Sequence, residues 1–217
     1  MKNLKEQTDA QIEKSRRAKP DFMARVEQEI QQAQDRKIDA AAIALGQAVP
    51  DFQLPNADGQ AVALANLIAQ GPVVITFYRG RWCPYCNLQL RALQNELETI
   101  RSLGAELVAI SPQTPDESLS HAEIVAVGFP VLSDQDAAVA TQYGVAWEVP
   151  EFLLEHMRVD RQLDLVKINN GNGNVLPIPA VFVVGQNGKV AWRSVDVDYR
   201  RRAEPAEIIS VLEKLAT

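Results

Sequence analysis

The chain has 217 residues, 47% of them hydrophobic, enough to bury a sizeable core in one domain with decoration. Its net charge of −6 argues against nucleic acid as the main partner. The charged start, MKNLKEQTDAQIEKSRRAKPD, does not read as a secretory signal, and no apolar run reaches the length of a membrane span, so a soluble, cytoplasmic protein is expected.

Residues 1–45 are rich in Gln, Glu, Lys, Arg and Ala, with Phe22, Met23, Val26 and Ile30 at helical spacing. They predict a helical N-terminal extension broken at Lys19-Pro20-Asp21, because a residue before proline is pushed out of the helical region. Its charged residues read as a solvated face or, alternatively, as a surface docking on a second subunit. Residues 46–217 form the domain proper, with an insertion at about 148–174. Within it, VPDFQLPNADGQAVAL (49–64) predicts two short strands around an Asp58-Gly59 turn. A short helix at 64–69 follows, ended by Gly71-Pro72. Residues 73–78 are apolar without alternation, as in a central strand covered on both faces.

That strand runs into both of the chain's cysteines, Cys83 and Cys86, in Cys-Pro-Tyr-Cys. Two cysteines placed at random take this spacing about once in a hundred times, so it calls for a reason. An amphipathic pattern with Leu88, Leu90, Leu93 and Leu97 follows, which puts the pair where a buried strand becomes a helix. There the first-turn amides lack intrahelical partners and the dipole is positive, which favours thiolate. Pro84 falls where a missing backbone donor costs nothing, and Arg79 and Arg81 are candidates for added positive charge. Competing readings are a structural zinc site, for which only His121 and His156 remain, a static disulfide closing a very short loop, and inert buried thiols. Redox chemistry requires the two sulfurs to face each other and a route to reach them.

The first long helix, 84–103, stops at Gly104, and 106–110 reads as a buried strand joined by a parallel, right-handed crossover. SPQTPD (111–116) is a loop leading into a helix towards 127, followed by a strand at 129–132 and a helix at 136–143. Residues 145–176 read as an insertion covering one side of the domain, in which Trp147 and His156 are packing or surface residues rather than catalytic ones. Residues 175–184 and 189–195 predict a hairpin around Asn187-Gly188. Pro179 belongs at a strand start, where a cis peptide is an option. A helix over 205–215 closes the chain, its apolar face made by Ile208, Val211, Leu212 and Leu215.

This order of elements, with a cysteine pair after a central strand and a proline before a late hairpin, resembles the thioredoxin fold. That resemblance implies an α/β class with a central mixed sheet flanked by helices. VPDFQLPNADGQAVAL and FPVLSDQDAAVATQYGV are similar to segments of the peroxiredoxin branch, in the alkyl hydroperoxide reductase and thiol-specific antioxidant group. Laid on FYRGRWCPYC, the motif of that branch puts Cys86 at the peroxidatic position, Cys83 at its Thr position and Arg79 at its Pro position. Trp82 before Cys-x-x-Cys is similar to thioredoxin, Cys-Pro-Tyr-Cys matches the glutaredoxin motif, and Pro179 matches the proline that faces the cysteines in both. The resemblance implies a thiol peroxidase that reduces hydrogen peroxide or organic hydroperoxides through a Cys83–Cys86 disulfide, with no cofactor or metal. It implies a thioredoxin- or glutaredoxin-type reductant and allows a homodimer. The alternatives are a protein dithiol-disulfide oxidoreductase and a redox-sensing interaction module. Peroxiredoxin alignment makes Cys86 the attacking residue. Thioredoxin-style reasoning prefers Cys83, nearer the helix end and expected to be the more exposed.

Overall fold

The computed structural model describes residues 3–114, 127–171 and 173–216. Helices α1 (Leu4–Ala18) and α2 (Pro20–Asp35) meet at Lys19, where Pro20 starts the second helix in its first turn, as the sequence predicts. The hairpin β1 (Gln53–Pro55) and β2 (Ala61–Ala63) turns through Asp58-Gly59 and leads into α3 (Leu64–Ile68). Among the described residues no helix is long and apolar enough to cross a membrane.

The central sheet runs in the order β5-β4-β3-β8-β9: β3 (Val73–Phe77), β4 (Glu106–Ser111), β5 (Val131–Ser133), β8 (Ala180–Val184) and β9 (Val190–Val195). The first three are parallel, and β8 and β9 add antiparallel, so the sheet is mixed. Every residue of β3 is buried. Val73, Ile75 and Phe77 face one core, with Phe52, Tyr143 and Phe182. Val74 faces the other, with α4 (Pro84–Asn95), α5 (Leu97–Ser102) and α9 (Pro205–Leu215). Two covered faces explain why β3 shows no alternation.

The expected span of α9 and the Asn187-Gly188 hairpin agree with the structure, Gly188 having φ +68; of the apolar face expected for α9, Ile208 and Leu212 are buried and Leu215 is exposed. Three expectations differ. The helix expected over 84–103 is two, broken at Glu96 without Gly or Pro; Leu90 and Leu93 before the break and Leu97 and Ile100 after it bury in the same core. The helix expected over 136–143 starts late: Asp136 and Ala137 are left-handed, and the Asp134 carboxylate caps the amides of Val139 and Ala140 in α6 (Ala138–Gln142). The run 175–184 is not one strand. β7 (Val175–Pro177) leaves the central sheet to pair with β6 (Ala146–Glu148), and the Ile178 amide donates to the Val145 carbonyl. Pro179 stands at the start of β8, as expected, and among the described residues no peptide bond is cis, so it does so in trans. The helix expected towards 127, and His121 with it, lie outside the described residues.

Between β6 and β7 stand α7 (Glu151–Glu155), a wider turn over His156–Asp160, and α8 (Leu165–Asn169). Leu153, Met157 and Leu165 pack on Met23, Val26 and Ile30 of α2. The apolar face of the N-terminal extension is therefore covered by its own chain.

Candidate active site

Strand β3 ends at Phe77, and α4 begins at Pro84 with Cys83 as its N-cap; the Cys83 carbonyl accepts from the amides of Cys86 and Asn87. The intervening loop is pinned from three sides. The Arg81 amide donates to Gln113 Oε1, its carbonyl accepts from Asn87 Nδ2 at 2.9 Å, and Arg161 Nη2 donates to the Trp82 carbonyl at 3.0 Å. Gly80 has φ +145, and a Cβ there would sit 2.4 Å from Trp82 Nε1, so the loop tolerates only glycine.

The two cysteines are free and buried, and close enough for each to shift the other's ionisation. Cys83 is 1% exposed and Cys86 0%, so the expected difference in exposure is absent. Arg202, from the segment before α9, reaches Cys86 Sγ with Nη2 at 3.4 Å and Gln89 Oε1 with Nη1 at 3.1 Å. Burial pushes both thiols up. At Cys86 it is outweighed by the Cys83 thiol, the Arg202 charge, and the backbone N–H and charge of Arg79, which bring this thiol down to about 5. Cys83 is held well above the ordinary thiol range by burial, by donation to Cys86 and by the Cys86 charge, against the opposing pull of Arg79 and Arg202. These surroundings favour the anion at Cys86 over the anion at Cys83, which stands where the peroxiredoxin motif has Thr.

Arg79 is 4% exposed, its guanidinium 4.3 Å from the ring of Tyr199 and 5.2 Å from that of Trp82. Arg81 serves the site through its backbone. Pro179 stands one residue before Ala180, the register partner of Phe77, at the sheet end that carries the cysteines. His156 stacks on Phe22 at 3.8 Å and bonds Asp160, as a packing residue would. Among the described residues no three His, Cys, Asp or Glu side chains gather as metal ligands.

Helices α1 and α2 and the 148–174 segment roof the dithiol. Under the roof a cavity of about 300 Å³ reaches Cys83, with Arg79, Trp82, Tyr199, Phe22 and Arg161 in its walls. A second, of about 670 Å³, opens beyond α1 onto Gln89 and Arg202, the residues flanking Cys86. The smaller cavity has Cys83 in its wall; the larger one stops at Gln89 and Arg202, with Cys86 buried behind them. The roof is latched by ions: Glu27 of α2 bonds Arg16 of α1 at 2.7 Å and Arg200 at 3.2 Å, and Arg200 forks onto Asp198 at 2.7 and 3.0 Å.

Sequence reasoning missed Gln89, Arg202, Gln113 and the roof. Gln89 carried a signal, since it lies three residues after Cys86 on the same helical face. The Arg200-Arg201-Arg202 run in an acidic chain was a weaker one.

The AhpC/TSA family profile matches residues 45–193, beginning after α1 and α2. Peroxiredoxin Bcp of Escherichia coli K12 is 32% identical over 108 residues, 50% of this chain and 68% of that protein. The chloroplastic peroxiredoxin Q of Populus jackii is 32% identical over 105 residues, 48% of this chain and 49% of that one. The crystal structure of peroxidoxin BcpB from Mycobacterium tuberculosis superposes with a TM-score of 0.61 at 22% identity, covering 80% of this chain and 98% of that one, a likeness of fold.

Proposed function

Because the chain belongs to the AhpC/TSA family and is a thiol-dependent peroxidase, we propose that Cys86 attacks the peroxide and Cys83 resolves the product. The observation that carries this assignment is the hydrogen bond from Arg202 Nη2 to Cys86 Sγ at 3.4 Å, which sets a guanidinium charge on this sulfur. A thiolate is the attacking species, and the Arg202 charge beside Cys86 supports that sulfur in the role.

Cys86 S⁻ attacks one peroxide oxygen, the O–O bond breaks, and the leaving oxygen takes a proton to depart as water or an alcohol. Arg202 and Gln89, in the wall of the larger cavity, stand between it and the buried Cys86, and Arg202 offsets negative charge moving from sulfur to the leaving oxygen. Cys83 then gives up its proton and attacks the Cys86 sulfenic sulfur, forming the disulfide and releasing water. Cys83 caps α4 and Cys86 lies in its first turn, so the two sulfurs are one helical turn apart when this step begins. A thiol donor returns both cysteines to the reduced state; the family implies one of thioredoxin type.

Single variants test the assignment. With peroxide and a sulfenic-acid trap, Cys83→Ser accumulates trapped Cys86 and Cys86→Ser traps nothing above the rate of free cysteine. The reverse pattern would hand the attacking role to Cys83. The reading as a general protein disulfide reductase meets the roof, because neither sulfur reaches the surface; insulin reduction with a dithiol donor should proceed no faster than the donor alone.

A further inference from the structure

We propose that the cavity over Cys83 binds a small thiol bearing a carboxylate, which enters there and reduces the Cys83–Cys86 disulfide. The proposal rests on the reading above only in taking that disulfide as the oxidised state. It adds a second donor beside a thioredoxin-type protein, which must lift the roof before it touches Cys83.

The cavity volume, about 300 Å³, suits a small molecule, and Cys83 is the sulfur in its wall. Its charge is one-sided. Arg79, Lys19 and Arg161 line it with no Asp or Glu, in a chain of net charge −6. Lys19 is bridged to Asp160 at 3.1 Å, and Arg161 holds the Trp82 carbonyl. Arg79 has neither arrangement: its Nε is buried without a hydrogen-bond partner, and among the described residues no carboxylate bridges it. A buried guanidinium without a carboxylate partner is costly, and a carboxylate matches its fork.

In the reduced protein the Cys86 thiolate supplies negative charge beside Arg79. Oxidation removes that charge, since both sulfurs of a disulfide are neutral. The cavity therefore attracts an anion most strongly in the state that needs reducing. A thiolate entering there attacks Cys83 Sγ, forms a mixed disulfide and expels Cys86 as the thiolate its surroundings favour, a good leaving group. A second thiolate attacks the outer sulfur, releasing the small disulfide and Cys83, which regains its proton. Two thiols are oxidised and one protein disulfide is reduced.

The test forms the disulfide with diamide, so that re-reduction is measured apart from the peroxide step. The probes are N-acetylcysteine and its amide, which differ by one carboxylate, compared at equal thiolate concentration by the appearance of protein thiols. The acid should react about tenfold faster, as one charge-assisted contact provides. Its advantage should shrink with added salt and fall severalfold in Arg79→Gln and in the surface variant Arg161→Gln. Equal rates for acid and amide, or an advantage unchanged in both variants, overturn the proposal. Failure of diamide to join the cysteines overturns the dithiol cycle and this proposal together. Failure of peroxide alone, with the acid preference intact, removes only the peroxidase step.

Discussion

Replacing Arg202 with methionine keeps the stem of the side chain and removes the charge 3.4 Å from Cys86 Sγ. At that separation the direct attraction is about 4 to 5 kcal/mol for an effective dielectric of about 20. An opposite charge within this range lowers an acid by about 1 to 3 pKa units, the middle of which is about 2.7 kcal/mol. Cys86 should therefore move from about 5 to roughly 7. At pH 6 the thiolate fraction then falls from about nine-tenths to about one-tenth, and sulfenic-acid formation slows about tenfold. Near pH 9 both proteins are thiolates, and any deficit that remains measures what Arg202 does for the leaving oxygen. The assay is the pH profile of sulfenic-acid trapping, paired with thiolate absorbance. Arg201→Met is the control, one residue away with a side chain 71% exposed. If the Cys86 titration in Arg202→Met overlays that of the parent, the account of how this thiolate is held is wrong.

In the parent protein the peroxide rate should be flat above about pH 6 and fall about tenfold per unit below pH 5, following Cys86 at about 5; a profile rising through pH 8 to 9 would mark an ordinary thiol. Burial raises Glu27, but the hydrogen bonds and charges of Arg16 and Arg200 more than offset it, so its folded pKa is depressed. Its contribution is then complete above the unfolded value of about 4.3 and is lost as pH falls through the lower folded one. Glu27→Gln should accordingly loosen the roof at neutral pH and raise iodoacetamide alkylation of Cys83 severalfold, read by mass spectrometry; an unchanged rate would mean the latch does not hold the roof. Gly80→Ala should cost about 1 to 3 kcal/mol, because it sets a Cβ against Trp82 in a backbone region reserved for glycine. A thermal midpoint equal to that of the parent would contradict this.

What could be read from the sequence was local. Pro20 after Lys19, Asp58-Gly59 and Asn187-Gly188 each dictate a backbone conformation through their own covalent structure, and the helices and turns there stand where expected. The unbroken apolar run of β3 announced a strand covered on both faces, and the strand-to-helix junction placed the cysteines at an electropositive helix start. What could not be read depends on partners far along the chain. Ile178 leaves the strand line because its amide goes to Val145, and α6 starts late because Asp134 reaches Val139 and Ala140. The asymmetry between the sulfurs depends on Arg202, 116 residues from Cys86. Propensity and periodicity carry no record of which distant side chain folds back onto a given atom. Two thiols three residues apart have the same local chemistry, and only the tertiary field makes one of them the thiolate.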